Sequence, residues 1–220
     1  MPSTFFDTGS YPTRRQTLAS FGTIATSALS GCSGQLPGTT PTQLDAETTV
    51  ETDADPRVLW EYPPREDDED GIGYAAVEVD RIIQSDGQRP QMHLTFNSTI
   101  GGIASSPPYD GYQPDWFRFR IWPPTAYEGR INHEMRVAPP GQWEEFSTYY
   151  EIQSSVRQTT VELRNVHTQG TIQIPAVFDP GAAQLPERLH CAFTVQASRP
   201  GFLGETVRVA GQETLPLEKE

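Results

Sequence analysis

Lysine is almost missing from this chain: Lys219 is the only one, so the other 15 of the 16 basic residues are arginine, and none of them gathers into a basic patch. Against 29 Asp and Glu the formal net charge is -13. Nucleic-acid binding needs clustered cations to displace phosphate counterions, so this balance argues against such a partner. Cysteine is equally scarce, with only Cys32 and Cys191, whose contexts differ too much for a disulfide framework. No apolar run reaches the roughly 20 residues that a membrane-spanning helix requires.

Catalytic and metal signatures are also lacking. No G-x-S-x-G elbow, Walker loop or dinucleotide fingerprint falls between a strand and a helix. His133-Glu134 opens like a zinc-protease helix, but Val137 stands where the second histidine belongs. The acidic run Glu66-Asp67-Asp68-Glu69-Asp70-Gly71 fails the helical calcium-loop template, because Val77 would occupy the position of the bidentate carboxylate. It reads as a solvated turn. No His or Met follows Cys191, which removes the blue-copper pattern and leaves that thiol as a small buried residue on a strand. No cofactor is implied. Enzymatic activity stays open, since a triad assembled from distant segments leaves no local trace.

What is present begins near the amino terminus. Residues 13 to 32 read TRRQTLASFGTIATSALSGC: the pair Arg14-Arg15, a modest apolar stretch from Leu18 to Leu29, then Leu29-Ser30-Gly31-Cys32. The stretch is too short and too rich in Ser, Thr and Gly for a permanent span. The segment resembles a twin-arginine export signal ending in a lipobox, although Thr17 and Ala19 stand where Phe and Lys are frequent. That resemblance covers the first 34 or so residues. It implies removal of residues 1–31, a lipid on Cys32, and attachment at the outer face of the cell membrane. Each buried CH₂ of such a lipid contributes about 0.8 kcal/mol, so two chains hold lastingly where one would exchange. The acidic, lysine-poor composition resembles that of proteins from salt-loving archaea. At about 1 M salt the Debye length is roughly 3 Å, and a strongly acidic surface hardly repels itself.

Residues 32–56 follow as an acidic Thr/Pro-rich stretch without apolar periodicity, which reads as a flexible linker. From residue 57 to 220 the texture changes to short period-two runs broken by Gly, Pro, Asn and Asp. This predicts an all-β body, one β-sandwich domain, with a late strand spacing that resembles immunoglobulin-like sandwiches. Strands are expected over Tyr74–Ile83, Gln91–Phe96, Trp116–Trp122, Thr159–Val166, Thr171–Phe178, Leu189–Ala197 and Thr206–Val209. Pro175 cannot donate to a ladder and points to an edge or a bulge. The stretch Trp143 to Tyr150 fits either a short helix or a strand.

The segment from Tyr109 to Tyr150 concentrates three of the four tryptophans and five of the eight tyrosines. If Phe117, Phe119 and Ile121 face the core, then Trp116, Arg118, Arg120 and Trp122 line the other face of that strand. Aromatic and guanidinium groups in a row can stack on sugar rings or anchor a protein. The alternative is a covered face whose arginines are paired to acids. Asn97-Ser98-Thr99 matches the N-glycosylation acceptor pattern, with an exposed turn expected after the strand.

These features lead to a membrane-anchored module of the cell envelope that binds an envelope protein or glycan, or serves structurally. Two alternatives remain at this stage: a metal or redox protein using His93, His133, His167 and His190 brought together by the fold, and a hydrolase of envelope polymers.

Overall fold

Strand β3 (Arg57–Tyr62) shows how the body is built: Val58, Trp60 and Tyr62 point inward and are fully buried while their neighbours are half-buried. The same two-residue rhythm recurs across the domain, because successive strand side chains alternate between faces. The computed structural model describes residues 40–52, 55–62, 71–84, 89–101, 109–139, 141, 145–201 and 204–217. The export signal with Arg14, Arg15 and Cys32, the acidic run Glu66–Asp70, and Trp143 lie outside the described residues.

Among the described residues there are twelve strands and no helix. The first sheet has the order β1-β12-β11-β6-β9-β8, and the second has the order β2-β3-β4-β5-β10-β7. The first comprises β1 (Thr42–Leu44), β6 (Gln113–Trp122), β8 (Phe146–Gln153), β9 (Val156–Arg164), β11 (Arg188–Ser198) and β12 (Thr206–Pro216). The second comprises β2 (Glu47–Glu51), β3, β4 (Gly73–Ile83), β5 (Gln91–Ile100), β7 (Glu134–Val137) and β10 (Gly170–Asp179). All ladders are antiparallel except β1 with β12, where Thr42, Gln43 and Leu44 run alongside Val207, Arg208 and Val209 in the same direction.

The sheets face each other across an apolar core. Trp60 of β3 meets Phe193 of β11 at 4.8 Å between ring centroids, and Phe96 of β5 meets Phe119 of β6 at 5.3 Å. The fold is therefore an all-β sandwich. Its six-plus-six strand count exceeds the seven or nine strands of immunoglobulin constant and variable domains.

Four local outcomes differ from the sequence reading or settle what it left open. The linker ends earlier than Pro56, because β1 and β2 already pair with β12 and β3. Every residue of β2 is exposed, so hydrogen bonding to β3, not an apolar face, makes it a strand. The undecided stretch before Tyr150 becomes β8, an almost wholly exposed edge strand. Pro175 lies inside β10, a strand flanked on both sides, yet its carbonyl accepts from Ala138 N at 2.9 Å just past the end of β7. The donor it lacks would point to that same side, where the short neighbour stops.

Asn97 corrects a further expectation. It sits within β5, between β4 and β10, and is 4% exposed. Its Nδ2 donates to Glu78 Oε2 at 2.8 Å, so the atom that would carry a glycan is committed inside the sheet. The motif is local, but β5 runs on to Ile100 and leaves no turn there.

Candidate functional site

Phe117, Phe119 and Ile121 are buried, which turns Trp116, Arg118, Arg120 and Trp122 onto the outer face of the first sheet. A bulge sets this phase: Pro114 pairs with Ala197 and Trp116 with Gln196, so Asp115 is an extra residue between them. Asp115 accepts Ser198 Oγ at 2.6 Å and Gln196 Nε2 at 3.2 Å, which fixes the bulge.

The four side chains divide into two pairs with different fates. Arg118 lies opposite Glu162 on β9, and its Nε donates to Glu162 Oε2 at 2.6 Å. Arg164 donates to the other oxygen of the same carboxylate, whose side chain is only 6% exposed. Burial alone would raise the Glu162 carboxyl, but the two guanidiniums overcome this and hold it below the ordinary carboxylate value. Trp116 is flanked by cations, with Arg118 Cζ 5.5 Å and Arg208 Cζ 5.6 Å from its ring centroid. Arg208 also donates to Gln196 Oε1 at 2.9 Å. Each guanidinium at this end of the row already has a partner within the domain.

Arg120 lies opposite Thr160 on β9, not opposite an acid. Among the described residues no carboxylate comes within ion-pair distance of it; Tyr149 and Glu151 act only through space. Burial, then the like charge of Arg118, lower its guanidinium from the ordinary arginine value. Beside it Trp122 faces His190 of β11 at 5.7 Å between centroids, tilted by 34°. His190 Nδ1 and Thr214 Oγ1 are 3.1 Å apart across the β11–β12 ladder. Burial, then Arg188, lower the His190 imidazole from its ordinary value, with Glu213 opposing.

These groups open onto a recess of about 460 Å³. Arg120, Trp122, Gln158, Arg188, His190 and Gln212 line it, with Pro123 and Pro124 at one rim and the β8–β9 turn at another. That turn holds Ser154 and Ser155 at φ 50° and 62°, the geometry of a two-residue type I′ hairpin, and directs Ser154 to the recess wall. None of the lining residues is acidic. Sequence reasoning placed Arg120 and Trp122 on this face but missed Gln158, Arg188 and Gln212. The clean alternation of β11, which puts His190 opposite the core, was the available signal, and Arg188 shares that parity.

The histidines do not converge. His93 lies on the outer face of the second sheet, beside a shallower hollow of about 370 Å³ that also holds Asp80 and Arg136. His133 is buried and stacks on Phe178 at 5.0 Å, with Nδ1 3.1 Å from Gly129 O. His167 is an exposed residue 4.0 Å from Asp115. Among the described residues no three His, Cys, Asp or Glu side chains come together as a set of metal ligands. Cys191 is fully buried on β11, and burial raises its thiol well above the usual value.

No family model matches the chain, and no curated protein matches it. Solved structures with partial likeness include a pore forming protein, at 7% identity and a TM-score of 0.28, covering 77% of this chain and 93% of that one. Another is the GAE domain of yeast GGA1, at 10% identity and a TM-score of 0.22, covering 70% of this chain and 96% of that one.

Proposed function

We propose that this protein is a binding module held at the outer face of the cell membrane by a lipid on Cys32, and that the outer face of its first sheet takes the ligand at the recess beside Arg120 and Trp122. The observation that carries this reading is the sign of charge. In a chain with 29 acids and a net charge of -13, a recess lined by Arg120, Arg188 and His190 contains no acid at all. Such a patch attracts anionic or polar ligands that the rest of the surface repels.

Placement supports the same reading. The described chain runs into the sandwich through β1, which starts opposite Val207, whereas the recess lies beside Gln212 near the other end of β12. Five residues at about 3.4 Å each separate the two by roughly 17 Å along the strand. The recess thus lies toward the opposite end of the sheet from the start of β1.

The test has two parts. Mass spectrometry of the membrane-extracted protein is expected to find lipid on Cys32, and Cys32→Ala is expected to release the protein from membranes. The unlipidated Cys32→Ala protein is expected to sediment with detergent-washed envelope polymer, and Arg120→Gln combined with Trp122→Ala in the same background is expected to abolish this while the circular dichroism spectrum stays unchanged. Equal sedimentation of the double variant would overturn the assignment of the face.

A further inference from the structure

Resting on the proposed role of this face, we infer that the recess is a receptor for a carboxylate-bearing sugar, a hexuronate unit of an acidic glycan. Three features of the lining converge on that chemistry. The first is a pair of guanidiniums left without partners. Arg118 and Arg164 share Glu162, and Arg208 is held by Gln196 and Trp116, whereas Arg120 and Arg188 make no hydrogen bond or ion pair among the described residues. The cations next to the recess are occupied and the two inside it are not. A planar guanidinium presents paired donors that match the two oxygens of a carboxylate.

The second feature is the indole of Trp122, half-buried between His190 and the Pro123-Pro124 rim. It offers a flat apolar surface to the C–H face of a pyranose ring. The third is a set of neutral donors and acceptors: Gln158 and Gln212 carry amides that both give and receive hydrogen bonds, and Ser154 adds a hydroxyl. A ring with several hydroxyls needs such groups, while a simple carboxylate or an inorganic anion does not. The volume of about 460 Å³ lies toward the small end of the roughly 300–1,000 Å³ range of small-molecule sites. It admits a sugar unit or two and not a folded partner.

His190 adds a pH response to the same site. The charged groups acting on it are Arg188 on its own strand and, through space, Glu213 on β12, with Thr214 at Nδ1 and the Trp122 ring of β6 against its imidazole. Protonation adds a third cation to the lining, so uronate affinity rises as pH falls below the ordinary imidazole range.

The decisive experiment is calorimetric titration of the purified full chain with a galacturonate disaccharide, the neutral galactose disaccharide and a sulfated galactose disaccharide. Binding of the galacturonate is expected, with the neutral sugar about tenfold weaker or worse, since a charge-assisted hydrogen bond is lost. Arg120→Gln and Arg188→Gln are each expected to weaken it by about tenfold, while Arg208→Gln, outside the recess, leaves it unchanged. Equal binding of acidic and neutral sugars, or an Arg120→Gln variant with full affinity, would overturn the anion role. Preference for the sulfated sugar would overturn the carboxylate assignment, and equal competition by a short poly-glutamate peptide would overturn the sugar. If envelopes are still bound through Arg120 and Trp122 but no galacturonate is, the uronate inference alone fails. If neither binds, the broader reading fails as well.

Discussion

Gly211 on β12 is the place where one methyl group should test the packing of the whole sandwich. Its strand partner is Phe193, and Trp60 reaches across from the opposite sheet to lie against its backbone. A Cβ at position 211 would stand 2.7 Å from Trp60 Cδ1, 2.8 Å from Trp60 Nε1 and 2.7 Å from Phe193 Cε1. Comfortable carbon contacts are about 3.5–4.0 Å, so both rings would have to retreat by about 1 Å. Neither has room: Trp60 is 0% and Phe193 2% exposed, and the two rings already touch each other. Overpacking of this kind costs about 1–3 kcal/mol, which in a domain of this size lowers Tm by roughly 2–12 °C. Thermal unfolding followed by tryptophan fluorescence measures it. In a double-mutant cycle Trp60→Phe should be less harmful in the Gly211→Ala background than alone, by at least about 0.5 kcal/mol, because the smaller ring vacates the contested space. An alanine variant as stable as the parent, or strictly additive losses, would refute the contact.

Two further predictions follow from the ionisable groups. Glu162→Gln should destabilise the domain by about 1–2 kcal/mol, less than the roughly 3–5 of a fully buried pair, because Arg118 and Arg164 are 32% and 51% exposed and water takes over part of their solvation. Denaturant melts measure the loss, and an unchanged midpoint would show that the network contributes nothing. Stability should also fall as pH drops below about 6.5, since burial lowers the imidazoles of His133 and His190, so the unfolded chain binds the proton more readily. His133→Phe keeps a ring against Phe178 and should flatten the pH dependence between about pH 7 and 5.5. A variant with the same slope would exclude His133 as the cause.

Most strands with one buried face were legible from sequence, although β3, with Val58, Trp60 and Tyr62 inward, was missed, and those without such a face were not. The alternations of β6 and β11 identified both strands and their inward faces, because each carries an unbroken series of apolar side chains. Strands β1 and β2 carry Thr and Glu with scarcely any burial, and exist because β12 and β3 offer free hydrogen-bonding edges. The second half of β12 escaped notice because Gly211 and Glu213 occupy inward-parity positions between Val209 and Leu215, and the gap at Gly211 is filled by Trp60. The candidate site shows the same limit. That Trp116, Arg118, Arg120 and Trp122 share a face is a matter of local parity. That Arg118 is spent on Glu162 while Arg120 opens onto a recess depends on the register of β6 against β9, a strand 44 positions away at that pairing.

The parallel run of β1 along β12 also governs how the domain bears mechanical load. Tension arriving through the chain ahead of Thr42 drags β1 backward along its neighbour, straining its ladder bonds together instead of peeling them in succession. Leu44 and Ala46 pack against the core, and the next strand, β2, is sewn to the opposite sheet, so the leading segment works as a clasp gripping both layers. A pull applied ahead of Thr42 would therefore meet resistance at the edge where that strand joins the sheet.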